Sequence, residues 1–191
     1  MIENPVQYGN EYIQTLVKEL NSIPTEKVAE IGEVLREAQL THHRVFVFGN
    51  GGSAATASHM ACDFGKNTRQ PDQPRLKVIS LGDGLAGLTA YANDEGYENV
   101  FSEPLLSLGE AGDVALAISG SGNSPNVLKG VQTARSLSMK TIGLTGFKGG
   151  KLKDLVDICL VVDSNNMERI EDIHLIINHI LTGLLRGSEY C

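Results

Sequence analysis

Two loops rich in serine and glycine have the residue types and spacing of an anion-binding site. Residues 49–53 (GNGGS) follow the apolar run 44–48, and residues 119–124 (SGSGNS) follow the apolar run 114–118. A helix N-terminus offers unpaired N–H groups and about half a positive charge, so glycines and serines placed there can hold a phosphate. Neither loop contains Lys or Arg, which argues against a nucleoside triphosphate loop with its lysine. The loops therefore predict a sugar monophosphate as ligand.

Two other interpretations of these loops are weaker. Gly49, Gly51 and Ala54 satisfy the Gly-x-Gly-x-x-Ala motif, but the acidic residue that would hold a ribose is missing from the end of the run 76–80. No nucleotide cofactor is therefore expected. Helix capping is the alternative for the serines, because Ser124 precedes Pro125 at a predicted helix start. Three serines within six residues exceed what capping needs, so phosphate binding is favoured.

Polar residues on two otherwise apolar helices form the second chemical signal. His59 and Asp63 stand four residues apart, so they share one face of the helix after the first loop. The last helix, predicted over 166–186, is apolar around most of its circumference and must be buried. Its polar members need partners: Glu171, Asp172, His174, Asn178 and His179. Two imidazoles and two carboxylates could form a zinc shell or supply the acid and base of a proton transfer.

Helical periodicity bears on which acid of the last helix accompanies His179. At 100° per residue, Asp172 lies within about 20° of His179 in projection, whereas Glu171 lies about 80° away. Periodicity alone therefore favours Asp172.

The elements that must position these residues alternate along the chain. Apolar runs of strand length occupy residues 44–48, 76–80, 114–118, 141–145 and 158–162, and segments with helical spacing occupy 7–20, 26–38, 54–64, 99–108 and 126–137. Continuous apolar strands separated by helices are typical of a parallel sheet covered on both faces. The predicted fold is a doubly wound α/β domain with a five-stranded parallel sheet, whose ligands collect at the carboxyl ends of the strands.

Composition narrows the class of protein. The 191 residues are 41% apolar, which predicts a single domain over residues 1–191. No segment approaches the roughly 20 apolar residues of a membrane span, and no signal peptide is recognised, so the expected location is the cytoplasm. The net charge of −7 disfavours nucleic acid as a partner. Cys62, Cys159 and Cys191 are expected to be small core fillers.

Together these motifs resemble a known family. GNGGS with His59, then Asn93-Asp94, the serine loop 119–124, and Arg169-Ile170-Glu171-Asp172-Ile173-His174 with His179 resemble the bacterial phosphoheptose isomerases of the sugar isomerase (SIS) domain superfamily. The resemblance covers nearly the whole chain. It implies conversion of sedoheptulose 7-phosphate to D-glycero-D-manno-heptose 7-phosphate for nucleotide-heptose and surface polysaccharide synthesis. It also implies a homotetramer with zinc, with the N-terminal helices of residues 1–40 in oligomer contacts.

The loops and the resemblance together assign roles to individual positions. Phosphate is expected at Ser119, Gly120, Ser121 and Ser124, and the sugar at Asn50, Gly51, Gly52, Ser53, Asn93, Asp94 and Glu171. The implied metal ligands are His59, Asp63, Glu171 and His179. Two positions depart from the family pattern: Asp63 stands where a glutamate base is usual, and Glu171 stands where glutamine is usual. On this point the resemblance favours Glu171 over Asp172.

The chemistry these residues could perform is aldose–ketose isomerisation through an enediol. Asp63 is the candidate base and His179 the candidate acid. If Asp63 binds the metal, Glu171 or a metal-bound water would take the proton. The alternatives are a non-catalytic SIS protein, such as the DnaA-associating regulators, and an isomerase of another ketose phosphate.

Overall fold

Five strands form one parallel sheet in the computed structural model, which describes residues 2–187. They are β1 (Arg44–Gly49), β2 (Lys77–Ser80), β3 (Val114–Ser119), β4 (Lys140–Thr145) and β5 (Ile158–Val161). Their spatial order is β2-β1-β3-β4-β5, and all four neighbouring pairs are parallel. The predicted five-stranded α/β fold is confirmed.

The strand order places a topological switch point between β1 and β3. From β1 the chain moves to β2 on one side and then returns to β3 on the other side. Ligands of open α/β sheets bind outside the carboxyl ends of the strands at such a point. Residues 49–53 and 119–124 begin at the last residues of these two strands, so the two serine- and glycine-rich loops flank the same crevice.

Eight α-helices surround the sheet in the described part of the chain. They are α1 (Pro5–Leu20), α2 (Thr25–Leu40), α3 (Gly52–Asn67), α4 (Leu85–Asp94), α5 (Ser102–Leu108), α6 (Pro125–Ser136), α7 (Leu152–Leu155) and α8 (Met167–Arg186). Val45 and Val47 point toward α2, α3 and α8, whereas Phe46 and Phe48 point toward α5, α6 and α7. This alternation along a buried strand gives the domain a core on each face of the sheet.

Several details differ from the sequence-based expectation. The helix predicted over 99–108 is a 3-10 turn (Tyr97–Asn99) followed by the shorter α5, and α4 and α7 were not predicted. Helix α4 has no fully buried residue, and its apolar stripe is short: Leu88, Tyr91 and Ala92 pack against the core while only partly buried. Cys62 is exposed, so its expected place in the core is wrong; Cys159 is partly buried, and Cys191 lies outside the described residues.

Helix α1 is held to α8 by polar contacts. The Tyr12 hydroxyl donates to Asp172 Oδ2 at 2.6 Å, and Arg169 Nε donates to Glu19 Oε2 at 2.9 Å. No residue of α1 is buried, and Val6, Ile13 and Val17 are exposed. The helix therefore leaves an apolar face open in a single chain.

Among residues 2–187, no helix combines the length and the apolar character needed to cross a bilayer.

Candidate active site

The second loop presents its serines beside the start of α6. Ser119 Oγ and Ser124 Oγ are 3.2 Å apart, and Ser121 Oγ accepts from the Asn123 N–H at 3.2 Å. Ser124 is the N-cap residue of α6, yet its side chain makes no capping hydrogen bond. The capping role that competed with phosphate binding is therefore not performed by this hydroxyl.

Glycines give this loop a frame made of backbone. A Cβ on Gly122, which has a φ of +65°, would collide with the Gly149 carbonyl, and the Leu152 N–H donates to the Gly122 carbonyl at 3.0 Å. The Gly146 N–H donates to the Gly120 carbonyl at 2.8 Å. The loop is thus fixed against the segment that follows β4.

Glu171 lies at the first loop. A Cβ on Gly52 would overlap the Glu171 carboxylate, so the carboxylate packs directly on the first residue of α3. Within residues 2–187 this carboxylate accepts no hydrogen bond from another residue. A negative group is favoured near a helix N-terminus, which explains this position.

A cleft of about 250 Å³ lies between the two loops. None of the residues that line the cleft is Lys or Arg. The lining residues are Asn50, Gly51, Gly52, Ser53, Ile118, Ser119, Gly120, Ser121, Ser124, Met167 and Glu171. Nine of the residues expected to bind phosphate or sugar therefore line one cleft. Asn93 and Asp94 do not: they end α4, where Asn93 Nδ2 donates to Asp94 Oδ1 at 2.7 Å.

A cluster of His59, Asp63 and His179 lies further along α3 and α8. Asp63 Oδ2 is 3.3 Å from His59 Nε2 and 3.7 Å from His179 Nε2, and the two rings meet edge to face at 5.2 Å. The histidine side chains are 43% and 55% exposed, whereas that of Asp63 is 10% exposed. The carboxylate is therefore buried beneath two imidazoles that face solvent.

Two amides hold the Asp63 carboxylate. Asn67 Nδ2 donates to Oδ1 and Asn178 Nδ2 donates to Oδ2, each at 2.9 Å. Asn178 is fully buried. Since Asn178 and His179 both belong to α8, this helix contributes one amide donor and one imidazole to the cluster. Neither Asn67 nor a role for Asn178 as donor to Asp63 was predicted. The i, i+4 spacing of Asp63 and Asn67 was the available signal for the first of them.

Three of the four expected metal ligands come together. One ligand atom each from His59, Asp63 and His179 lie within 4.8 Å of one another, and Glu171 is not part of this group. Asp172, which periodicity favoured, instead accepts from Tyr12 on α1. Glu171 faces α3 as Asn178 does, because seven residues bring a helix back to nearly the same face.

His174 has a structural environment. It is fully buried, and its Nε2 lies 3.1 Å from the Thr145 carbonyl oxygen. Since a carbonyl only accepts, Nε2 carries the proton of the neutral ring. Burial lowers the pKa of His174 to about 4.

Known proteins are similar to this chain in sequence. A family model described as a SIS domain matches residues 7–146. A phosphoheptose isomerase from Helicobacter pylori strain 26695 is 38% identical over 184 residues, which is 95% of this chain and 94% of the relative. One from Thermodesulfovibrio yellowstonii is 38% identical over 83% of this chain and 78% of the relative. The chain belongs to the phosphoheptose isomerase family.

The fold agrees with solved members of the phosphoheptose isomerase family. The structure from Neisseria gonorrhoeae has a TM-score of 0.89 and 30% identity, and covers 98% of this chain and 100% of its own. The structure from Francisella tularensis has a TM-score of 0.85 and 31% identity, and covers 95% of this chain and 96% of its own.

Proposed function

We propose that this protein is an aldose–ketose isomerase that converts sedoheptulose 7-phosphate to D-glycero-D-manno-heptose 7-phosphate. The family supports a phosphosugar isomerase, and the cleft supports a phosphate at the serine loop. The observation that carries the proposal is that the same two helices, α3 and α8, hold both the cleft and the cluster. We also propose that the reaction takes place in the cytoplasm and that its product serves nucleotide-heptose and surface polysaccharide synthesis.

The separation of cleft and cluster suits a long phosphosugar. Seven residues of α3 separate Gly52 from His59, which corresponds to about 10 Å of helix rise. In an extended heptulose 7-phosphate, six C–C bonds advance roughly 1.25 Å each, and the phosphate ester brings the length to about 10 Å. Phosphate at the serine loop would therefore place C1 and C2 near the cluster.

The cluster offers groups for both proton transfers. A base removes the proton from C1 of the ketose, an enediol forms, and a proton returns to C2 while another moves from O1 to O2. Asp63 is the proposed base and His179 the proposed acid. Their reactive atoms are 3.7 Å apart, a separation that lets them serve adjacent carbons and oxygens of one substrate.

The donor set fits zinc. Four-coordinate zinc with ligand bonds near 2.1 Å keeps its ligand atoms about 3.4 Å apart, and the two imidazole-to-carboxylate distances are 3.3 and 3.7 Å. His59, Asp63 and His179 would hold the ion. Bound there, zinc would stabilise negative charge on the enediolate oxygen. With Asp63 as ligand, Glu171 would be the alternative base only if C1 and C2 lay at the cleft, because its carboxylate packs on Gly52, about 10 Å of helix rise from His59.

Glu171 adds a carboxylate to a cleft that is meant to hold a phosphate. The cleft has no basic side chain among its described lining residues, so backbone N–H groups must carry phosphate binding. In the cluster, the two imidazoles and the Asp63 carboxylate are ligand types that favour a divalent cation. We therefore propose that turnover in this family member depends on a metal.

We also propose a homo-oligomer, by family likeness a tetramer. The exposed Val6, Ile13 and Val17 of α1, together with Ile180 and Leu184 of α8, form apolar surface that a single chain leaves open. A second copy of the chain would bury this surface.

The test is to incubate metal-free and zinc-loaded protein with sedoheptulose 7-phosphate and follow the aldose by NMR. Turnover that is lost in Asp63→Ala supports the proposal, and its dependence on zinc tests the metal. Glu171→Gln separates the two candidate bases, because only a catalytic Glu171 makes that variant inactive. Folded protein that binds the sugar without turnover would indicate a non-catalytic SIS protein, and turnover of another ketose phosphate would change the substrate.

A further inference from the structure

A pair of asparagine amides connects the two loops that flank the cleft. Asn50 Nδ2 donates to Asn126 Oδ1 at 2.8 Å, and Asn126 Nδ2 donates to Asn50 Oδ1 at 2.8 Å. Asn126 is 2% exposed and is the second residue of α6, directly after the serine loop. The two amides therefore join the segment after β1 to the segment after β3, across the switch point of the sheet.

The remaining capacity of this pair is largely used. Asn50 Oδ1 also accepts from the Tyr97 hydroxyl at 3.0 Å, and Asn126 Oδ1 also accepts from the Val127 N–H at 3.0 Å. Each carbonyl oxygen thus accepts two hydrogen bonds, which occupies both of its lone pairs. A sugar hydroxyl can therefore bind the Asn50 side chain only through the second Nδ2–H of its amide.

We propose that Asn126, supported by Tyr97, is a positioning residue that sets the distance between the phosphate loop and α3. The phosphate would be held by residues 119–124, whereas the groups that act on C1 and C2 stand on α3 and α8. The Asn50–Asn126 pair is a direct side-chain connection between these two parts. Because a misplacement of about 1 Å can cost 100-fold in rate, the pair affects turnover more than binding.

This inference rests on the proposed function and predicts a specific kinetic pattern. Asn126→Ala lowers kcat about 10- to 100-fold and changes KM less than about threefold. Asn126→Asp restores part of the activity, because its carboxylate can still accept from Asn50 Nδ2 and the Val127 N–H. Tyr97→Phe lowers kcat severalfold without loss of stability, and Tyr91→Phe on α4, whose hydroxyl makes no hydrogen bond within residues 2–187, has no effect.

A double-mutant cycle separates positioning from direct sugar binding. If Asn50 and Asn126 act through each other, Asn50→Ala/Asn126→Ala is no more than about threefold worse than the more damaging single variant. If the loss of kcat in the double variant equals the product of the two single losses, the inference is overturned. It is also overturned if Asn50→Ala raises KM while Asn126→Ala has a normal kcat.

Hydrogen exchange of the protein without substrate provides an independent measurement. Faster exchange at residues 50–53 in Asn126→Ala than in Gln132→Ala, an exposed amide on the same helix, supports the connection. Unchanged exchange overturns it even if the protein is active. If the wild-type protein turns over no ketose phosphate, the proposed function fails, and the exchange data still decide the inference.

Discussion

Asn178 on α8 donates a hydrogen bond of 2.9 Å to Asp63 Oδ2 on α3, and it does so inside the core. This contact fixes the carboxylate at the centre of the cluster while both imidazoles above it face solvent. The hydrogen bond therefore contributes to the packing of α3 on α8 and also orients the proposed metal ligand.

Asn178→Ala should weaken both stability and metal binding. The variant leaves a buried carboxylate oxygen without its amide donor, which costs about 1–3 kcal/mol of unfolding free energy. Zinc affinity should fall about 10- to 100-fold, as is typical when a residue that orients a ligand is lost. Urea unfolding of the metal-free protein and a zinc titration measure the two effects. Asn67→Ala, at an exposed amide on the other oxygen, should cost less stability; equal losses would contradict this account.

Gly52→Ala tests the position of Glu171. The new Cβ must displace the carboxylate, which is the flexible end of its side chain, so the fold should survive while the cleft changes. We expect weaker binding of the phosphosugar, measured by calorimetry, and recovery in Gly52→Ala/Glu171→Ala. Gly65→Ala, at an open position of the same helix, is the matched control and should stabilise by about 0.5–1 kcal/mol. Normal binding in Gly52→Ala would show that Glu171 plays no part in the cleft.

His174 should make stability depend on pH. Its pKa is about 4 in the folded protein and about 6.5 when unfolded, so between these values the unfolded chain binds more protons. Stability contributed by the neutral ring is complete above about pH 6.5 and is lost as pH falls toward 4, by at most roughly 3 kcal/mol. In His174→Gln, whose amide can still donate to the Thr145 carbonyl, urea unfolding should lose this part of the slope. Parallel curves for both proteins between pH 4.5 and 7 would refute the prediction.

His179→Ala should abolish isomerisation and leave assembly intact. The side chain is 55% exposed, so its loss should remove the proposed acid and metal ligand with little effect on the core. Turnover by NMR and sedimentation of the variant test both statements. His43→Gln, which lies directly before β1 at the amino ends of the strands and away from the cleft, should keep full turnover. Residual activity in His179→Ala above about 10% of the wild-type rate would exclude the proposed acid role.

Local pattern was enough to predict the sheet and its loops. Each buried strand is a continuous apolar run, and each Ser/Gly loop follows such a run, so the cleft could be expected from residues 44–53 and 114–124 alone. Helix α4 was missed because its apolar stripe of Leu88, Tyr91 and Ala92 covers little more than one turn, which is too short for periodicity to detect.

The candidate site was harder to predict in detail. Helical projection places Asp172 and His179 on one stripe of α8. Periodicity does not reveal that α1 packs beside Asp172, whose carboxylate accepts a hydrogen bond from Tyr12. The partnership of Asn50 with Asn126 spans 76 positions and depends on β1 and β3 being neighbours. Such pairs follow from strand order, which composition and spacing do not encode.

The backbone contact between Gly122 and Gly149 has an evolutionary consequence. Because the loop keeps its shape through glycines and main-chain hydrogen bonds, replacing a serine on it changes the chemistry offered to a ligand without moving the scaffold. New substrate preferences can therefore arise by single side-chain replacements, whereas Gly122 leaves no room for a side chain.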